Sequence, residues 1–245
     1  MSYRELFDRL NEREIAYVVP RKYDNLPDAT VDDDGDLDIV FHPEQFQTGV
    51  DICESLGFSS KGADSGDRVE LIRMAVRNPE TTVNRLASAP VEVARMAVTG
   101  ERPSVGNPRH RNVKRYRNGA MVDLRDGLAY SSPMDGTRIP VDPSVTRRLL
   151  ARRRQQGCYY VPEPADELAH IVPHCVFDKG GEFSQYYVDR CRSLFDIVRS
   201  DPERRERFEE LLEEIFFEAA ELVSELVAEE RYSELRTALW QFSEY

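Results

Sequence analysis

The apolar positions of this chain change period several times, and each change marks an element. Leu6, Phe7 and Leu10 recur at helical spacing and predict an amphipathic helix over Tyr3 to Arg13. Ile15 to Val19 is a continuous apolar run, short enough for a buried strand, and Pro20 ends it. After a polar loop from Arg21 to Asp34, Leu37, Ile39 and Phe41 alternate with Asp36, Asp38 and Val40, a period of two that predicts a second strand. Pro43 marks a helix start, Phe46, Val50, Cys53 and Leu56 supply the stripe, and Gly57 is the natural stop. Residues 67–99 read as helical with a break at Asn78-Pro79. Asn118-Gly119, between Asn112–Arg117 and Ala120–Leu124, predicts a two-residue hairpin in which Asp123 faces Lys114 and Met121 faces Tyr116.

From Pro143 onward the pattern is helical. Segments are expected over Val145–Gln156, Pro164–Phe177 and Gln185–Arg199, and from Asp201-Pro202, an N-cap followed by a good first residue. The last of these carries a stripe running from Phe208 to Leu226, too broad for a coiled-coil seam, and a final short helix ends near Trp240. The expected architecture is α+β: a small mixed β-sheet with flanking helices over residues 1–142, with a helical insertion at about 61–110, and then a helical domain over 143–245.

The chemistry concentrates in the second strand. Asp36 and Asp38 project from one face, about 7 Å apart at Cα. A half-buried strand gives two like charges little water, so something positive should sit between them, and a hard cation with oxygen ligands, Mg²⁺ or Mn²⁺, meets that need. Asp32, Asp33 and Asp34 precede the apolar alternation and read as solvated loop residues. Asp123 adds a third carboxylate on a strand, with the plainer alternative that it pairs with Lys114.

Composition narrows the partners. The net charge of −12 argues against a long nucleic acid or a membrane surface. Of 33 basic residues only Lys22, Lys61, Lys114 and Lys179 are lysines, a bias that salt adaptation or GC-rich coding would each produce. Cys53, Cys158, Cys175 and Cys191 form no C-x-x-C pair, which fits reduced thiols. With no signal-peptide pattern and no apolar run near the ~20 residues of a membrane span, a cytoplasmic protein is expected. No P-loop, dinucleotide fingerprint or Ser-His-Asp order is present.

Two aspartates on one strand and a third on another resemble the nucleotidyltransferase superfamily with the DNA polymerase β-type catalytic fold. Gly35-Asp36-Leu37-Asp38-Ile39-Val40 looks like its Asp-x-Asp strand, and Met121-Val122-Asp123-Leu124 like its third-carboxylate strand. The loop Val19-Pro20-Arg21-Lys22-Tyr23-Asp24-Asn25-Leu26-Pro27 and the segment from Leu168 to Gly181 are similar to a little-characterised branch with a trailing helical region. The likeness covers roughly residues 1–60 and 110–200.

The resemblance implies a nucleoside triphosphate as substrate and divalent metal held by Asp36, Asp38 and Asp123, with Asp123 helping to deprotonate an acceptor hydroxyl. The family's Gly-Ser phosphate turn is missing. Arg21 and Lys22 stand in its place, able to bind phosphate by charge-assisted bonds. The acceptor is open: a small molecule, a sugar phosphate, a protein side chain or an RNA end. The same missing turn, with the acidic helical tail, supports an alternative, a catalytically inactive member acting as a nucleotide-binding or assembly module. His170 and His174, four apart, share a helix face and read as structural or acceptor-site histidines more than as zinc ligands. The arginines from Arg147 to Arg154 read as a solvated helix face, with a polyanion grip as the sharper alternative.

Overall fold

The computed structural model describes residues 3–28, 36–60, 111–117, 120–132 and 138–240. The Asp32–Asp34 loop, the helices expected over 67–99 and the Asn118-Gly119 turn lie outside the described residues.

Four strands form the main sheet: β1 (Tyr17–Val18), β2 (Leu37–Phe41), β3 (Asn112–Arg117) and β4 (Ala120–Arg125), in the order β1-β2-β4-β3. β1 runs antiparallel to β2, β2 parallel to β4, and β3 antiparallel to β4. The hairpin has the register its turn sequence implies, with Lys114 opposite Asp123 and Tyr116 opposite Met121.

Side-chain alternation gives the sheet two unlike faces. Leu37, Ile39, Phe41, Val122 and Leu124 pack on one side against α1 (Arg4–Glu12) and α2 (Phe46–Ser55), through Leu6, Phe7, Leu10, Phe46, Val50 and Cys53. Val18 and Val40 point the other way, into the core formed with the later helices. Asp36, Asp38, Asp123 and Arg125 share that second face, because residues two apart on a strand, and residues opposite one another, project together.

The rest of the chain is mostly helical, interrupted by two short hairpins, β5 (Ala129–Ser131) with β6 (Arg138–Pro140) and β7 (Arg154–Gln156) with β8 (Tyr159–Val161). The helices are α3 (Pro143–Arg152), α4 (Pro164–Pro173), α5 (Gln185–Arg199), α6 (Pro202–Phe216), α7 (Ala220–Ala228) and α8 (Leu235–Leu239). Asp142 and Asp201 cap α3 and α6 with their side chains, each before a proline.

Three expectations need correction. α2 starts at Phe46, because Pro43 lies in the turn ahead of it. α3 stops at Arg152: Arg153 turns extended, and Gly157, at φ +60°, lets Arg154–Gln156 fold back on Tyr159–Val161. The apolar stripe from Phe208 to Leu226 spans two helices, broken where Phe217 takes φ +51°. The β5–β6 hairpin has strands of only three residues, too short to show a period.

α4 is buried along its whole length, although it carries Asp166, Glu167 and His170. A charged residue survives there only if paired. Arg152 forks onto Asp166 at 2.9 and 2.5 Å, and Arg190 onto Glu167 at 2.7 and 2.8 Å. Two members of the Arg147–Arg154 run therefore serve the core and not a solvated face, since Arg153 also lies over the Tyr160 ring. After Pro173 the helix widens into a π-helical turn, His174–Asp178. All four cysteines are free thiols. Among the described residues no helix is long and apolar enough to cross a membrane.

Candidate functional site

The second face of the sheet places Asp38 directly beside Asp123 on the parallel pair β2–β4. Both side chains are buried, at 7% exposure. Two guanidiniums compensate them. Arg21 donates to Asp38 Oδ2 at 2.6 Å, while Nη2 of Arg125 donates to Asp38 Oδ1 at 2.9 Å and to Asp123 Oδ2 at 2.7 Å. Burial would raise the Asp38 carboxyl, but Arg21 and then Arg125 outweigh it and hold it below the usual range. Burial works equally against the Arg125 charge, and Asp123 and Asp38 overcome it, so that guanidinium stays protonated.

Asp36 stands apart. It is exposed at the entry to β2, outside the arginine pairs. Partial desolvation raises its pKa, Lys114 opposes this, and Asp38 and Asp123 add to the rise. The structure thus brings Asp38 and Asp123 together with Arg21, and leaves Asp36 and Lys22 on the outside. Lys22 is exposed, on a backbone with φ +54°, and lies near enough to Asp36 to favour its charged form.

Behind the carboxylates lies a second polar layer. His170 Nε2 lies 3.2 Å from Arg21 Nη1, and its Nδ1 lies 2.9 Å from the Tyr130 hydroxyl. His174 Nδ1 contacts Asp178 Oδ2 at 2.9 Å. Asp178 Oδ1 also accepts from Ser131 N at 2.8 Å and from Arg138 at 2.7 Å. The two imidazoles stack at 6.1 Å, as their four-residue spacing implies. Burial and then the Arg21 charge push both histidines down, His174 to about 4. They are neutral hydrogen-bonding partners near pH 7. Burial would raise Asp178, but the hydrogen bond from His174 and the Arg138 charge depress it strongly.

Sequence reasoning missed Arg125, although the signal was present: it lies two residues after Asp123 on one strand, so the two must share a face. Tyr130, Arg138 and Asp178 gave no comparable signal, because the β5–β6 hairpin and the π-helical turn that carry them have no readable period.

Two atoms of the pair are left over. Oδ1 of Asp123 and Nε of Arg125 are buried and have no hydrogen-bond partner among the described residues. Buried polar atoms are seldom abandoned, so a further group or water belongs here. Three carboxylates are the hard oxygen donors a Mg²⁺ or Mn²⁺ ion takes, and Asp123 Oδ1 is an available one. As the side chains stand, however, no group of three or more His, Cys, Asp or Glu among the described residues is placed to hold a metal. Nη2 of Arg125 lies against both carboxylates. The oxygen donors are of the kind a divalent cation takes, and in this structure the Arg125 guanidinium fills the place between Asp38 and Asp123.

Comparison with protein-family models, with curated proteins and with solved structures gives no match to this chain.

Proposed function

We propose that this protein is a metal-dependent nucleotidyltransferase that moves a nucleoside monophosphate from a nucleoside triphosphate to an acceptor hydroxyl or phosphate. The observation that carries this reading is the pairing of Asp38 with Asp123 on adjacent parallel strands, with Asp36 two residues upstream on the same face. Two buried carboxylates side by side on the central strands, with a third exposed two residues upstream, are the oxygen donors from which a site for divalent cations is built.

In this reading Asp36, Asp38 and Asp123 hold Mg²⁺ or Mn²⁺, and the bound metal supplies positive charge to the triphosphate and the leaving pyrophosphate. Arg21 and Lys22 neutralise phosphate oxygens by charge-assisted hydrogen bonds in place of a glycine-serine turn. Were metal to take the place of Arg125 between Asp38 and Asp123, its guanidinium would be a further donor to phosphate. Asp123, with a free buried oxygen, is the group best placed to accept a proton from an acceptor hydroxyl. Phosphoryl chemistry of this kind needs mainly positioning and electrostatic stabilisation, which such an array supplies.

One observation favours a second reading, an inactive member serving as a nucleotide-binding or assembly module: Arg125 already provides the positive charge between the two buried carboxylates. Incubation with each of the four α-labelled triphosphates, Mg²⁺ or Mn²⁺ and a panel of acceptors separates the two. Passage of the α-label to an acceptor, with release of pyrophosphate, that disappears in Asp36→Asn supports transfer. A metal-independent thermal shift without transfer supports the binding module, and no response to any triphosphate sinks both transfer and nucleotide binding and favours assembly.

A further inference from the structure

Lys114 lies on β3 opposite Asp123, and Asp123 lies beside Asp38 on β2. The three form one row across three strands and project from one face of the sheet. The plain use of a lysine in that row is an ion pair with Asp123, and the structure does not make it. Oδ2 of Asp123 accepts from Arg125 at 2.7 Å, and its Oδ1 has no partner among the described residues. Among the described residues Lys114 makes no ion pair and no side-chain hydrogen bond. It is exposed, while Asp38 and Asp123 in the same row are buried.

The Lys114 charge reaches Asp36, which is also exposed. Of the charges that favour the ionised form of Asp36, Lys114 is the largest, and Lys22 adds to it. Lysine is rare in this chain, four among 33 basic residues, and two of the four act on Asp36. Arg21 is engaged by Asp38 and His170, so the exposed cations at this end of the face are lysines. A lysine ammonium is a compact charge with three donors on a flexible stem, suited to phosphate oxygens.

Resting on the reading that this face takes a nucleoside triphosphate, we infer that Lys114 is a further substrate-binding residue, its ammonium holding the polyphosphate at the Asp36 end of the site. Three carboxylates repel a bare polyanion, so the magnesium complex of the polyphosphate is the form that binds.

The probe is inorganic tripolyphosphate with Mg²⁺, which has phosphates but no base, sugar or nucleotide to transfer. Calorimetry on the full chain at low ionic strength should show binding that Lys114→Gln weakens about tenfold and Lys114→Arg largely keeps. Lys114 is exposed and unpaired among the described residues, so Lys114→Gln should melt with the parent. Arg205→Gln, which removes one charge from an exposed position on α6, should bind as the parent does. Equal binding by the parent and Lys114→Gln, a loss that Arg205→Gln matches, or no binding at all overturns the inference. Nucleotide transfer by Lys114→Gln with an unchanged KM for the triphosphate also overturns it and leaves the transferase reading standing. Lys114-dependent binding in a protein that transfers nothing upholds it and removes transfer instead.

Discussion

Asp38 and Asp123 are neighbours across the β2–β4 ladder, and one nitrogen, Nη2 of Arg125, bonds to both. The cation that two buried carboxylates demand is therefore present within the chain. If Arg125 holds the place of a metal, Arg125→Met should cost about 3–5 kcal/mol, because it strands two buried charges. Millimolar Mg²⁺ should then recover part of that loss in the variant and change the parent little. Thermal melts with and without the ion check this. Equal magnesium responses in the two proteins would mean that Arg125 is structural only.

The exposure difference between Asp36 and Asp38 separates fold from function. Asp38→Asn removes the partner of buried Arg21 and should cost roughly 2–5 kcal/mol whether or not the protein binds nucleotide. Asp36 is outside those pairs, so Asp36→Asn should change stability by less than about 0.5 kcal/mol. If triphosphate and Mg²⁺ raise the melting temperature of the parent, that rise should vanish in Asp36→Asn. A full ligand shift in this variant would remove Asp36 from the site.

Much of the sheet was legible because its signals are local. The Leu37–Phe41 alternation and the Asn118-Gly119 dipeptide fix which side chains share a face, and with them the Lys114–Asp123 opposition. What alternation cannot reveal is which strand lies beside β2. Asp38 meets Asp123 only because β4 enters the sheet centre parallel to β2, across a long connection. The positive charge expected near Asp36 and Asp38 was a sound electrostatic demand, but charge balance does not distinguish a metal ion from a guanidinium. Arg21 was expected at a phosphate, and in this structure it holds Asp38. The buried charges of α4 were illegible for the opposite reason: their partners, Arg152 and Arg190, come from other helices, and only packing brings them together.

Gly49 lets α2 lie close on β2. A Cβ there would sit 2.5 Å from the ring of Phe41, which is fully buried and stacked edge-on to Phe46. Gly49→Ala gains up to about 1 kcal/mol of helix propensity but forces the ring from its place, an overpacking cost of about 1–3 kcal/mol. The expected outcome in urea titration is a net loss of about 1 kcal/mol. A stabilised variant would show that the α2–β2 contact is looser than the packing implies.

The histidine pair makes stability depend on pH in a defined window. His174 has a folded pKa of about 4 against 6.5 for a free imidazole, and His170 is shifted in the same direction. Between those values the unfolded chain carries protons that the folded chain excludes, so stability is greatest above pH 6.5 and falls as pH drops toward 4. His174 alone accounts for about 3 kcal/mol over that range. Asp178, depressed by its His174 and Arg138 partners, adds its loss only below the ordinary carboxylate range and leaves the window to the histidines. Urea midpoints at pH 7.5, 6 and 5 should fall steadily in the parent. His174→Gln, which keeps a polar partner for Asp178 but cannot titrate, should flatten much of that slope. Midpoints that coincide at pH 7.5 and pH 5 in the parent would mean that the imidazoles are hydrated, and that the polar layer behind the carboxylates is open to solvent.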